Sequence, residues 1–277
     1  MKLLYLIWSL CCASIWAEPK QIELQISYPH RPDKPCVHIE IEGQRFLQLF
    51  DLGAECEMAL THSALASVQR KDLFSQSNFT WFSGITEKTM HYFIPLAKIN
   101  DFPLKNVIVM GISEQIFSQS QKVQGLIGCR ILERWNVLLD FSRSKIHLIP
   151  PASELSSISD DIDSWLKVNF HLQLCGSGIV VTVITDMGEI PFVLDTGSPY
   201  TIIDRSFLEN AEKLSEESEI EWTSSKFKLG DFDFGEQKMW AVKWKKISDE
   251  QGILGMDFLQ KRVLYIDYPN KTLYIKR

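Results

Sequence analysis

Two short segments of the chain end an apolar run on an aspartate and continue as x-Gly-small. One is Leu47-Gln48-Leu49-Phe50-Asp51-Leu52-Gly53-Ala54, and the other is Phe192-Val193-Leu194-Asp195-Thr196-Gly197-Ser198. An apolar strand that runs into Asp-x-Gly sets a carboxylate on a tight loop at the strand end. Two such loops brought face to face give a carboxyl pair that can hydrolyse an amide without metal or covalent intermediate. One carboxylate takes a proton from water while its partner gives one to the carbonyl oxygen. The glycines let the backbone approach its twin closely, and Ala54 and Ser198 are small enough to leave a cleft open.

A lone Asp-Thr-Gly is usually a turn. Here the rest of the chain repeats around it. Gly125-Leu-Ile-Gly-Cys-Arg-Ile-Leu132 aligns without gaps to Gly252-Ile-Leu-Gly-Met-Asp-Phe-Leu259, an offset of 127. The same offset carries Asp140 onto Asp267 and Ile146-His147-Leu148 onto Leu273-Tyr274-Ile275. Lys98-Ile99-Asn100-Asp101-Phe102 matches Lys228-Leu229-Gly230-Asp231-Phe232 at an offset of 130, and the two aspartates stand 144 apart. Order is kept while spacing varies, the pattern of a duplicated domain with loop insertions.

The elements that would position these loops are short strands. Gln21–Ser27 and Val37–Ile41 alternate apolar and polar, and Val168–Leu174, Ile179–Thr185 and Ile190–Leu194 do the same in the second half. Helix is expected only at Thr61–Val68 and Asp204–Leu214, with one turn each at Arg130–Arg134 and Asp257–Lys261. Asp204 has the chemistry of an N-cap. The Pro-, Ser- and acid-rich stretch 151–162 reads as a connector. It divides an N-terminal lobe, 18–150, from a C-terminal lobe, 163–277.

The 277-residue chain is 45% apolar with a net charge of −6, and no Lys/Arg run has the footprint of a nucleic-acid binder. Residues 1–17 read as a secretory signal: Lys2, an apolar core from Leu3 to Ile15, and Ala17 at the cleavage point. The mature protein is therefore expected to be exported, periplasmic or secreted. No later segment is long and apolar enough to span a bilayer. Four cysteines follow, Cys36, Cys56, Cys129 and Cys175. Disulfides and buried free thiols are both compatible with them. Neither these nor the six histidines form a tight ligand cluster, so no metal or other cofactor is expected.

The segment Val193-Leu194-Asp195-Thr196-Gly197-Ser198, followed by Gly252-Ile253-Leu254-Gly255-Met256-Asp257-Phe258-Leu259, resembles the retropepsin-like aspartyl proteases, particularly bacterial ones. The duplication in one chain is similar to the two-lobe plan of pepsin-like enzymes. The resemblance covers about 240 residues and is specific at the aspartate loops and the Gly-h-h-Gly segments, where h is apolar. It implies a mostly β fold: two closed, barrel-like lobes with one main helix each, related by a pseudo-two-fold axis. Asp51 and Asp195 would flank one water and share one proton, with the split pKa values known for such pairs. Gly53, Ala54, Thr196, Gly197 and Ser198 would support them. The family closes a β-hairpin flap over its substrate, and Phe79–Ile85 with the strand Met90–Leu96 fits that description. Trp81, Phe82 and Gly84 would then touch the substrate. The implied activity is that of a monomeric aspartic endopeptidase acting on an extended peptide or protein.

One position departs from the family. Leu52 stands where a threonine is expected, and the two threonine hydroxyls normally cross the pair to bond the opposite loop. The alternative expectation is therefore a catalytically impaired protein that binds peptides.

Overall fold

The structure is a computed structural model that describes residues 21–29, 33–80, 86–117, 122–173, 176, 178–208, 220–243 and 251–276. Residues 1–17, Cys175, and Trp81, Phe82 and Gly84 of the expected flap lie outside the described residues.

Strand formation follows from period-two patterning. Ile22 and Leu24 are buried and their neighbours Glu23 and Gln25 exposed, while Ile179–Thr185 turns Val181, Val183 and Thr185 inward between exposed positions. The first half carries β1 (Ile22–Gln25), β2 (Cys36–Ile41), β3 (Gln44–Asp51), β4 (Met58–Thr61), β5 (Lys71–Thr80), β6 (Thr86–Ile99), β7 (Phe102–Ile112), β8 (Gly125–Gly128), β9 (Asn136–Asp140) and β10 (Lys145–Ile149). The second carries β11 (Leu166–Asn169), β12 (His171–Leu172), β13 (Ile179–Thr185), β14 (Gly188–Leu194), β15 (Ile202–Asp204), β16 (Ile220–Leu229), β17 (Phe232–Val242), β18 (Gly252–Leu254), β19 (Val263–Asp267) and β20 (Thr272–Ile275). The helices are one turn or little more: α1 (His62–Ala66), α2 (Cys129–Leu132) and α3 (Met256–Leu259).

These strands make two closed six-stranded barrels. The first runs β2-β3-β8-β4-β7-β6 and closes through β2–β6, with β5 added outside β6. The second runs β13-β14-β18-β15-β17-β16 and closes through β13–β16, with β12 added outside β13. Strand order and sense correspond one for one. In each barrel the aspartate strand is parallel to the Gly-h-h-Gly strand, β3 to β8 and β14 to β18. The next pairing is antiparallel, β4 to β8 and β15 to β18. Asn100 and Gly230 both adopt positive φ in the hairpins that join β6 to β7 and β16 to β17.

A third sheet was not foreseen. It runs β1-β10-β9-β19-β20-β11, three strands from each half, joined by the antiparallel contact of β9 with β19. Asn136 ties the junction, donating to the Tyr265 hydroxyl at 2.8 Å and accepting from the Tyr268 amide at 3.2 Å. Stretch 151–162 packs on this sheet rather than hanging free, because Ile162 and the adjacent Trp165 are buried against Ile149, Tyr265 and Tyr274.

The helix expected at Asp204–Leu214 begins differently. Asp204 caps a 3-10 turn, Arg205–Phe207, by accepting from the Ser206 amide, and residues 209–214 lie outside the described residues. The first helix appears where expected, with Thr61 as its N-cap.

Candidate active site

Each aspartate sits where a strand leaves its barrel. Asp51 ends β3 opposite Gly128, and Asp195 follows β14, its amide bonded to the Leu254 carbonyl at 3.0 Å. The Gly-h-h-Gly segments anchor the two loops in the same way. The Ala54 carbonyl accepts from the Cys129 amide at 3.0 Å, and the Ser198 carbonyl accepts from the Met256 amide at 2.9 Å. The second glycine of each segment is required by close approach. A Cβ on Gly128 would strike the Cys56 and Ala54 carbonyls, and one on Gly255 would strike the Tyr200 backbone.

The two loops meet. A Cβ added to Gly53 would lie 2.5 Å from the carboxyl carbon of Asp195, and one added to Gly197 would lie 2.6 Å from that of Asp51. Each glycine thus offers a bare backbone to the other lobe's carboxyl, and the two carboxyls lie close enough to act on each other. Thr196, fully buried, crosses between the lobes: its hydroxyl donates to the Phe50 carbonyl at 2.6 Å and accepts from the Leu52 amide at 3.0 Å. Leu52 is equally buried, packed in the main apolar core without a hydroxyl. The cross-loop bond is one-sided.

The electrostatics follow from this geometry. Burial raises the pKa of both carboxyls, and the charge of Asp195 pushes Asp51 up further. Asp195 Oδ1 accepts the Gly197 and Ser198 amides at 2.7 and 3.0 Å, whereas Asp51 Oδ1 accepts one amide among the described residues, that of Gly53 at 2.9 Å. Amide donors favour the charged form. Both carboxyls therefore stay raised, Asp51 well above the ordinary aspartate range and Asp195 less far, because two amide donors favour its charged form.

Of the residues singled out in the sequence, Asp51, Gly53, Ala54, Asp195, Thr196, Gly197 and Ser198 come together here, while Trp81, Phe82 and Gly84 lie outside the described residues. Ser198 serves through its backbone and turns its hydroxyl onto the Tyr200 carbonyl at 2.8 Å. Sequence reasoning missed Lys34. The Phe50 amide bonds the Pro35 carbonyl at 2.8 Å, which lays the start of β2 along the strand that ends in Asp51. From there the Lys34 ammonium reaches the other lobe and donates to the Gly197 carbonyl. Nothing repeats Lys34 in the second half, so the duplication gave no signal for it.

Cys36, Cys56 and Cys129 are buried free thiols. Among the described residues no group of His, Cys, Asp and Glu could hold a metal ion, and no helix is long and apolar enough to cross a membrane. Comparison of the chain with models of protein families finds no match, and comparison with characterised proteins finds none either.

Proposed function

We propose that the protein is an aspartic endopeptidase whose two retropepsin-like lobes, related by a pseudo-two-fold axis, form a pepsin-like cleft in one chain. The observation that carries this reading is the reciprocal approach of Gly53 to the Asp195 carboxyl and of Gly197 to the Asp51 carboxyl. That arrangement leaves two acids on one spot with a single proton between them. In the proposed reaction Asp195 takes a proton from a water held between the carboxyls, and Asp51 gives its proton to the carbonyl oxygen of the peptide bond. The tetrahedral adduct collapses when the nitrogen leaves with a proton returned by the pair. The hairpin of β5 and β6, which has no counterpart among the described residues of the second half, would cover the substrate. Export, action as a monomer and a peptide or protein substrate belong to the same reading.

A second reading is favoured by Leu52. With only Thr196 bridging the loops, the cleft could bind extended peptides while turning them over poorly. Both are tested by following cleavage of a peptide library from pH 3 to 7, with and without pepstatin, for the unaltered protein and Asp195→Asn. The enzyme reading expects pepstatin-sensitive cleavage that falls about 10²-fold or more in the variant. Cleavage that persists in Asp195→Asn overturns it. Binding without turnover, with cleavage appearing in Leu52→Thr, selects the second reading.

A further inference from the structure

Lys34 is half-buried beside the carboxyl pair. Its ammonium is held on the Gly197 carbonyl, in the same loop as Asp195, and it acts on both carboxyls of the pair. Its position is built into the fold. The Ser27–Cys36 bridge and the Pro35–Phe50 bond fix the backbone immediately after it, and the side chain crosses from the first half to the second. A buried carboxylate is costly unless a positive charge or amide donors compensate it. The amides of Gly53, Gly197 and Ser198 supply part of that compensation.

We infer that Lys34 is a positioning residue of the carboxyl pair, supplying the positive charge that keeps one buried carboxyl ionised and thereby setting the pH range over which the pair holds a single proton. This rests on the reading of Asp51 and Asp195 as the reacting groups. The buried thiols and the phenol around the loops contribute no charge of their own. Burial pushes the Cys36 thiol up to about 12 and raises Cys56, Cys129 and the Tyr28 hydroxyl, so all four stay neutral. Further charges on neighbouring segments are Asp33, beside Lys34 in the chain, Glu55, whose carboxylate lies against Gly176, and Arg130, which acts on Cys56 and Cys129. Others are Glu57 and Glu133, which act on Cys56 and Cys129 respectively, and Asp257, which accepts from the Thr201 hydroxyl.

The sign of the effect is definite. A nearby ammonium favours carboxylate over carboxylic acid, so it lowers both macroscopic pKa values of the pair. Replacing it with an uncharged chain raises both and moves the window of the singly protonated pair to higher pH. Lys34→Met should shift the pH profile of peptide cleavage upward by about one unit, and Lys34→Arg should leave it in place. An unmoved profile in Lys34→Met overturns the inference. So does a uniform rise in cleavage at every pH, because that identifies Lys34 as an obstruction in the cleft.

Thermal unfolding decides the matter independently of turnover. Lys34→Met should lower Tm more at pH 7 than at pH 4. In an Asp51→Asn/Asp195→Asn background the loss should be the same at both. An equal loss at both pH values with the aspartates intact overturns the inference. If the protein cleaves nothing while this pH-dependent loss is seen, the proposed peptidase activity fails and the coupling of Lys34 to the pair stands.

Discussion

The two aspartate loops share a backbone plan and differ in what fills it. Both end a strand that runs parallel to a Gly-h-h-Gly strand, and both are pinned by an amide at the start of a one-turn helix. The second loop carries Thr196 and two amide donors to its carboxyl. The first carries Leu52 and one donor, and takes its cross-lobe bond passively from Thr196. The first barrel also has Gln48 at the position opposite Gly125, its amide buried without a hydrogen-bond partner. The equivalent position opposite Gly252 holds Phe192, packed on Phe227. The two loops therefore share their frame through backbone contacts, while the polar support is concentrated on one side.

Variants can break or sharpen that asymmetry. The largest effect should come from the shared frame. Gly53→Ala and Gly197→Ala each force a methyl group against the opposite carboxyl, and each should reduce cleavage by about 10²-fold with the fold intact by circular dichroism. A loss confined to one variant would mean that the approach is not reciprocal. Next is the bridge. Thr196→Val leaves the Phe50 carbonyl and Leu52 amide without their partner and should cost about 1–3 kcal/mol in urea unfolding. Leu52→Thr, if its hydroxyl finds the equivalent partners, should raise kcat about fivefold. Gln48→Met, which removes the unpartnered amide at similar volume, should stabilise the protein by about 1 kcal/mol.

The carboxyls also give the comparison a pH signature. A folded pKa raised above the unfolded value means that the stability gained by binding the proton is complete below the unfolded pKa. It is lost as pH rises through the folded one. Asp51 is the more strongly raised of the two because it lacks the second amide donor and faces the charge of Asp195. Asp51→Asn should therefore gain stability relative to the unaltered protein as pH rises above about 4, the unfolded range. Asp195→Asn, which forfeits two amide bonds to a carboxylate, should gain less. Paired melting curves across pH 3 to 8 check both, and the reverse ranking would place the shared proton on Asp195.

What the sequence made legible was whatever occurs twice. The Asp-x-Gly loops could be placed, and the Gly-h-h-Gly segments and the Asn100 and Gly230 stretches matched, because each copy vouches for the other; that the latter form strands and hairpins is seen only in the structure. Contacts between copies left no such trace. Ile146–Leu148 and Leu273–Ile275 were recognisable as repeats, yet nothing in either marks them as members of one sheet. Lys34 lay in an unrepeated, Pro-flanked stretch, and its role depends on a cross-lobe reach that local patterning does not encode. The helix expected from Asp204 shortened to a 3-10 turn among the described residues, because an N-cap specifies where a turn begins and not how far it continues.

The shared sheet has a consequence for how the chain is made. β9 offers one edge to β10, close by in sequence, and keeps the other for β19, which is synthesised only after the whole second barrel. Until then the nascent first half presents Val137 and Leu139 along an unpaired backbone ladder, a surface that invites pairing with the wrong strand. Pairing of the late strand seals that ladder and joins the two halves through one sheet, so this junction forms only after the second barrel has been made.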